Sequence, residues 1–210
     1  MNITKYGHAC LFLKKNNAKI IVDPGEFTEL PDDISGVVAV VVTHPHGDHL
    51  SVQNVQKIVA QNPSVQIYGV AETIDAFNDV SAEKIVVTED CTKTIGDFNV
   101  AFYFGDHATI YKTSPCQNIG LKVDEDVYYP GDSLRTIDTP VRVLAVPVSA
   151  PWLKTSEYID FARAMKAEVA FPTHNGLLND AGHGAYNTWL TKGLEGTGIE
   201  VKLLKNGESL

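Results

Sequence analysis

The chain has 210 residues, of which 44% are apolar, and a formal net charge of −9. That length and composition suit a single domain, residues 1–210, with a full core, and no apolar stretch approaches the roughly 18 residues of a membrane span. The acidic balance, with no Lys/Arg run longer than Lys14-Lys15, argues against a nucleic-acid partner, which needs a basic footprint to neutralise phosphates.

Residues 1–8 hold no apolar signal core. Residues 2–5 and 9–14 read as two strands around Gly7-His8, with an Asn16-Asn17 turn leading to a third strand over 18–22 that ends on Asp23-Pro24-Gly25. A polar loop spans 26–35. The uninterrupted, β-branched run Val37-Val38-Ala39-Val40-Val41-Val42 predicts a strand buried on both faces. Pro45 and Gly47 then mark a turn, and Ser51 caps a helix whose apolar positions are Val52, Val55, Ile58 and Val59. His44, His46, Asp48 and His49 therefore fall between the C-terminal end of a core strand and a helix N-terminus, a common place for ligands in α/β proteins. Packing four such groups together without a cation would force several desolvated polar groups into one pocket. Their types match first-row metal ligation.

Further on, a strand over 65–70, a helix over 71–77 and a strand over 84–87 continue the α/β alternation. A turn at Ile95-Gly96-Asp97 opens a strand over 98–104, with Asp106 and His107 at its end. A hairpin of 117–123 and 127–129 delivers Gly131-Asp132, where glycine lets the chain turn sharply. A buried strand over 141–148 precedes Trp152, and Thr155 or Ser156 caps a helix carrying Ile159, Ala162 and Met165. Residues 168–171 lead to His174. The Gly-bearing stretch 179–184, with His183, reads as a loop before a last helix (185–194) and a terminal strand (200–204).

His44-Pro45-His46-Gly47-Asp48-His49 resembles the H-x-H-x-D-H signature of the metallo-β-lactamase superfamily of metal-dependent hydrolases. Gly7-His8-Ala9, Asp23-Pro24 and Gly131-Asp132-Ser133 resemble other blocks of small superfamily members, those similar to L-ascorbate-6-phosphate lactonase. The resemblance implies an α/β fold (α+β in some schemes), a four-layer αββα sandwich of two mixed sheets flanked by helices. It also implies two divalent metal ions. Zinc is the default, and Mn2+ or Fe would suit the same ligands. One ion would sit on His44, His46 and His107, the other on Asp48, His49 and His174, with Asp132 bridging. Asp48 would double as the catalytic orienting or proton-accepting group, Asp23 and His8 would support the site from behind, and Trp152 and His183 are candidates for the substrate pocket. His107 departs from the longer G-H-T-x-G phrase of many members.

The implied reaction is hydrolysis by a metal-activated water or hydroxide, with a small cytoplasmic ester, lactone or phosphate-bearing metabolite as substrate. Alternatives are a phosphodiesterase acting on RNA or a cyclic nucleotide, and a non-catalytic metal-binding sensor or scaffold. Cys10, Cys91 and Cys116 form no CxxC pair, which fits a reducing cytoplasm. No membrane association is expected, and the helix over 185–194 is a candidate surface for a homo-oligomer. Arg135 and Lys154 are loop cations able to meet an anionic substrate.

Overall fold

The computed structural model describes residues 1–112 and 116–210. Two mixed sheets face one another. The first orders β1 (Asn2–Tyr6), β2 (Cys10–Lys15), β3 (Ala18–Val22), β4 (Val37–Val42), β5 (Gln66–Gly69) and β6 (Glu83–Val86) side by side. Its first three strands pair antiparallel as hairpins and the rest run parallel. The second sheet repeats that plan. β7 (Cys91–Ile95), β8 (Phe98–Asp106), β9 (Gln117–Val123) and β10 (Val127–Tyr129) pair antiparallel, and β11 (Val143–Pro147), β12 (Val169–Thr173) and β13 (Glu200–Val201) continue in parallel.

Side-chain alternation along each strand builds the layers. In β4, Ala39 and Val41 enter the core between the sheets, together with Leu11, Leu13, Phe98, Phe102 and Phe171. Val40 and Val42 point the other way, onto Val55 and Ile58 of α1 (Val52–Gln61) and Ile74 of α2 (Ala71–Asp75). Leu144 and Val146 of β11 likewise pack outward on Tyr158, Phe161 and Met165 of α3 (Thr155–Met165) and on Leu190 and Leu194 of α4 (Asp180–Leu194). The result is the αββα sandwich that the resemblance implied. Among the described residues no helix is long and apolar enough to cross a membrane.

Several elements differ from the sequence reading: α2 ends at Asp75 instead of 77, β11 is Val143–Pro147 instead of 141–148, and β13 covers only Glu200–Val201 of the strand read over 200–204. β7 was not expected: Cys-Thr-Lys-Thr-Ile is polar because its middle residues are exposed on a sheet edge. β8 runs on to Asp106, which pairs with Gln117 instead of turning. α3 is capped at Lys154, whose backbone N–H donates to the Glu157 carboxylate. α4 begins at Asp180, where the Asn179 side chain accepts the Gly182 N–H, so the apparent loop of 179–184 is the start of a helix and His183 rides on it.

Candidate metal centre

The candidate site residues gather at one edge of the sandwich, at the ends of β3, β4, β8, β10 and β12 and in the β1–β2 turn. Two of them have left-handed backbone: Asp23 with φ 47° and His174 with φ 56°. Such conformations in non-glycine residues persist where surrounding contacts over-determine them. Glycine permits the closest approach. A Cβ on Gly25 would lie 2.0 Å from the Asp48 carbonyl oxygen, so the Asp23-Pro24-Gly25 turn presses directly on the loop that carries His46, Asp48 and His49. Gly25→Ala is therefore expected to destabilise the fold by about 1–3 kcal/mol through overpacking, and to lower Tm by about 2–4 °C for each kcal/mol. Calorimetry on parent and variant checks this.

Four histidines share one arrangement. His44 Nδ1 lies 3.0 Å from Thr43 Oγ1, and because that hydroxyl donates to Asp23 it can accept the His44 N–H. His49 Nδ1 lies 2.7 Å from Asp23 Oδ2. His107 Nδ1 donates to the Ala108 carbonyl at 2.5 Å, and His174 Nδ1 to the Ser149 carbonyl at 2.7 Å. In each ring the partner on Nδ1 leaves Nε2 as the free nitrogen, and all four Nε2 atoms are buried without a hydrogen-bond partner. This is how ligand histidines are usually oriented from behind. His46 is more open, and its Nε2 faces the Cys116 thiol at 3.9 Å.

Asp132 stands among them. Its Oδ1 is 3.2 Å from His49 Nε2, and its Oδ2 is 3.2 Å from His107 Nε2 and 3.1 Å from His174 Nε2. Asn118 holds this carboxylate's loop: its Oδ1 accepts the Asp132 N–H, and its amide donates to the Pro130 carbonyl. Gly131 (φ 63°) makes that turn, and a Cβ there would meet Asn118 Oδ1 at 2.3 Å. Trp152 does more than form a wall, because its indole N–H donates to Asp132 Oδ2 at 3.0 Å.

The charges are strongly coupled. Burial opposes ionisation of Asp132 and Asp48, but the imidazoles around them outweigh it and hold both carboxyls well below the usual range. Burial likewise opposes protonation of His174 and His49. The Asp132 carboxylate, with Asp48 for His174 and Asp23 for His49, reverses that, raising His174 to about 9 and His49 in the same direction. His44 moves down, because burial and the other histidines disfavour its charge. Protons on His49 and His174 supply the positive charge these carboxylates call for; with the rings neutral a cation could supply it, and this donor set matches a first-row metal. Among the described residues three overlapping groups could hold an ion: His44, His46 and His107; His44, His49 and Asp132; and His8, Asp48, His49 and His174.

His8 is a special case. Its Nδ1 accepts the Gly176 N–H at 2.9 Å, so a neutral ring carries its proton on Nε2, which faces Asp48 Oδ2 at 3.4 Å. That Nε2 is buried and makes no hydrogen bond there. Asp23 is fully buried and accepts from the Thr43 N–H, the Thr43 hydroxyl, His49 and the Tyr129 hydroxyl. Thr43, Asn118 and Tyr129 escaped the sequence reading, since each is an ordinary strand or loop residue until the fold brings it to the site. His183 is not in the cluster; it lines a cavity beside it. Arg135 is engaged by Asp90 and the Phe104 carbonyl, and the Lys154 side chain is 80% exposed and paired with Glu157.

A four-layer αββα sandwich with a buried His/Asp cluster able to bind metal at one edge defines the class. The sequence model of the family described as "Beta-lactamase superfamily domain" matches residues 2–174, and the chain belongs to that family, within the metallo-β-lactamase superfamily. It is 30% identical over 198 residues to Protein Rv0786c of Mycobacterium tuberculosis, covering 91% of this chain and 92% of that one. It is 28% identical over 209 residues to a UPF0173 metal-dependent hydrolase of Aeropyrum pernix, covering 83% and 82% respectively. Its fold is similar to the metallo-β-lactamase fold protein YhfI of Bacillus subtilis, with a TM-score of 0.75 at 18% identity over 100% of this chain and 98% of that one.

Proposed function

We propose that the protein is a metal-dependent hydrolase whose cluster holds two divalent cations, zinc by default, with Mn2+ or Fe as alternatives. The observation that carries this reading is the set of four buried Nε2 atoms, on His44, His49, His107 and His174, each oriented by a partner on Nδ1 and lacking one of its own. His44, His46 and His107 would hold one cation, Asp48, His49 and His174 the other, and Asp132 would contact both. When bound, such cations act as Lewis acids on a carbonyl or phosphoryl oxygen and lower the pKa of water from about 15.7 toward about 7.

The chain's own residues supply the rest. The Asp48 side chain, 22% exposed against 3% for Asp132, is the more open of the two carboxylates, which suits it to orient an attacking water and accept its proton. His8 stands behind Asp48 with its Nε2 3.4 Å from Oδ2, and the Trp152 indole N–H fixes the Asp132 carboxylate against rotation. A net charge of −9 favours a small metabolite over nucleic acid as substrate, and an ester, lactone or phosphate-bearing compound of the cytoplasm is the proposed class.

Elemental analysis of protein purified without added metal is expected to find about two ions per chain, as in two-metal hydrolytic sites. Full chelation should abolish hydrolysis in a screen of lactones, thioesters and phosphodiesters. Ligand nitrogens must be unprotonated to bind, so metal content and turnover should fall together as pH drops, and the raised His174 and His49 should let protons compete above the ordinary imidazole range of about 6.5. Turnover that survived chelation would sink the reading.

A further inference from the structure

Lys5 sits on an inward-facing register of β1, one alternation beyond the core residue Ile3, and is only 4% exposed. Four lysines of the described chain pair with carboxylates, namely Lys15, Lys122, Lys154 and Lys202, and Lys5 is not among them. Its amine makes one hydrogen bond, to the Gly7 carbonyl at 2.8 Å, leaving two of its three N–H donors unengaged. Burial without a counter-charge pulls its pKa down to about 8. A cation in such surroundings is expensive unless something meets it.

Lys5 lines a cavity of about 600 Å³ between the end of β1, the start of α4 and the segment 203–206. Gly7 and Asn175-Gly176, the immediate neighbours of His8 and His174, also line it, and the ring of Phe27 at its mouth stands 5.8 Å from that of His8. The cavity thus shares a wall with the metal centre. Asn175 is 4% exposed and its side-chain oxygen has no partner; the side-chain oxygen of Asn187, also on the wall, has none either. Lys205 adds a positive charge and His183 an imidazole, against one carboxylate, the exposed Asp180.

We propose that this cavity binds an oxyanion group, phosphate or carboxylate, of the molecule hydrolysed at the adjoining centre, with Lys5 as the buried cation that meets it. Asn175 and Asn187 take hydroxyl or amide donors of the same molecule. The assignment rests on the hydrolase reading for the role of the bound molecule, but the oxyanion site itself can be read without turnover.

Inorganic phosphate is titrated by calorimetry into the metal-loaded protein, into Lys5→Met and into Lys205→Glu, with metal content and circular dichroism checked for each. A charge-assisted hydrogen bond contributes about 1.5–3 kcal/mol, so Lys5→Met should bind phosphate about 10- to 100-fold more weakly. Lys205→Glu, at an exposed position that folding tolerates, should bind it several-fold more weakly and carries the test if Lys5→Met does not fold. Equal binding by parent and variants, or no saturable binding by the parent at millimolar phosphate, overturns the site. With a hydrolysed substrate in hand, Lys5-dependent competitive inhibition by phosphate supports the subsite, whereas non-competitive inhibition means a separate free anion and overturns it. Lys5-dependent binding in a protein with no hydrolytic activity would count against the hydrolase reading alone; an active hydrolase indifferent to both lysines would count against the cavity alone.

Discussion

Replacing Asp132 with alanine is expected to strip the centre of metal and abolish turnover while leaving the protein folded. The carboxylate reaches both halves of the cluster, 3.1–3.2 Å from the Nε2 atoms of His49, His107 and His174. Without it, those nitrogens lose the carboxylate nearest to them, and only Asp48, 3.4 Å from His174 Nε2 and 3.9 Å from His49 Nε2, still faces one half of the cluster. Turnover should fall by about 10²–10³-fold or more, the loss seen when a preorganised electrostatic group is taken from a reacting centre. Stability should change less. The variant orphans the Trp152 indole N–H, at a cost of about 1–3 kcal/mol, but also removes a buried charge. Asp132→Asn separates the effects, since its amide oxygen can still accept from Trp152 while carrying no charge. It should melt near the parent temperature and still lack metal. Elemental analysis with an activity assay decides the matter, and retention of the full metal complement by Asp132→Ala would remove Asp132 from the ligand set.

Local chemistry made much of this site readable in advance. The loop from His44 to His49 announces itself because its donors lie within six positions, after a run that alternates between two buried faces. Asp132 is legible through Gly131, whose positive φ the sharp turn requires. What stayed hidden depends on contacts across the chain. The proton position on His8 is set by Gly176, 168 residues away, and Asp23 is held by Tyr129, 106 residues away; a hairpin histidine and an internal tyrosine look the same with or without those partners. Lys5 reads as a surface strand residue until the register of β1 turns it inward. The start of α4 was masked by Gly182 and Gly184, which ordinarily signal a loop, and it is the Asn179 cap that overrides them. β7 was masked because an edge strand with exposed polar residues lacks the apolar pattern by which strands are recognised.

Asp23→Ala should be the most destabilising single substitution in the supporting shell. Asp23 is fully buried and accepts from four donors, three of them side chains or backbone on the metal loop and the fourth Tyr129 of the opposite sheet. Truncation leaves those donors unpaired, and breaking a buried, hydrogen-bonded ionic contact by removing one partner costs about 3–5 kcal/mol. The left-handed backbone at this position adds to the cost, because alanine lacks the short polar side chain that makes φ 47° tolerable. Metal affinity should fall by a further 10- to 100-fold or so, since His49 loses the partner that orients its ring. Asp23→Asn keeps the left-handed conformation and can still accept from Thr43, but it presents an amide to His49 or to the Tyr129 hydroxyl. It should therefore recover much of the stability and little of the affinity. Urea denaturation of the metal-free proteins gives the first quantity, and competition against a chelator of known affinity gives the second. If the two losses recovered in parallel in Asp23→Asn, Asp23 would act on the metal only by holding the fold together; separate recovery identifies it as the residue that tunes His49.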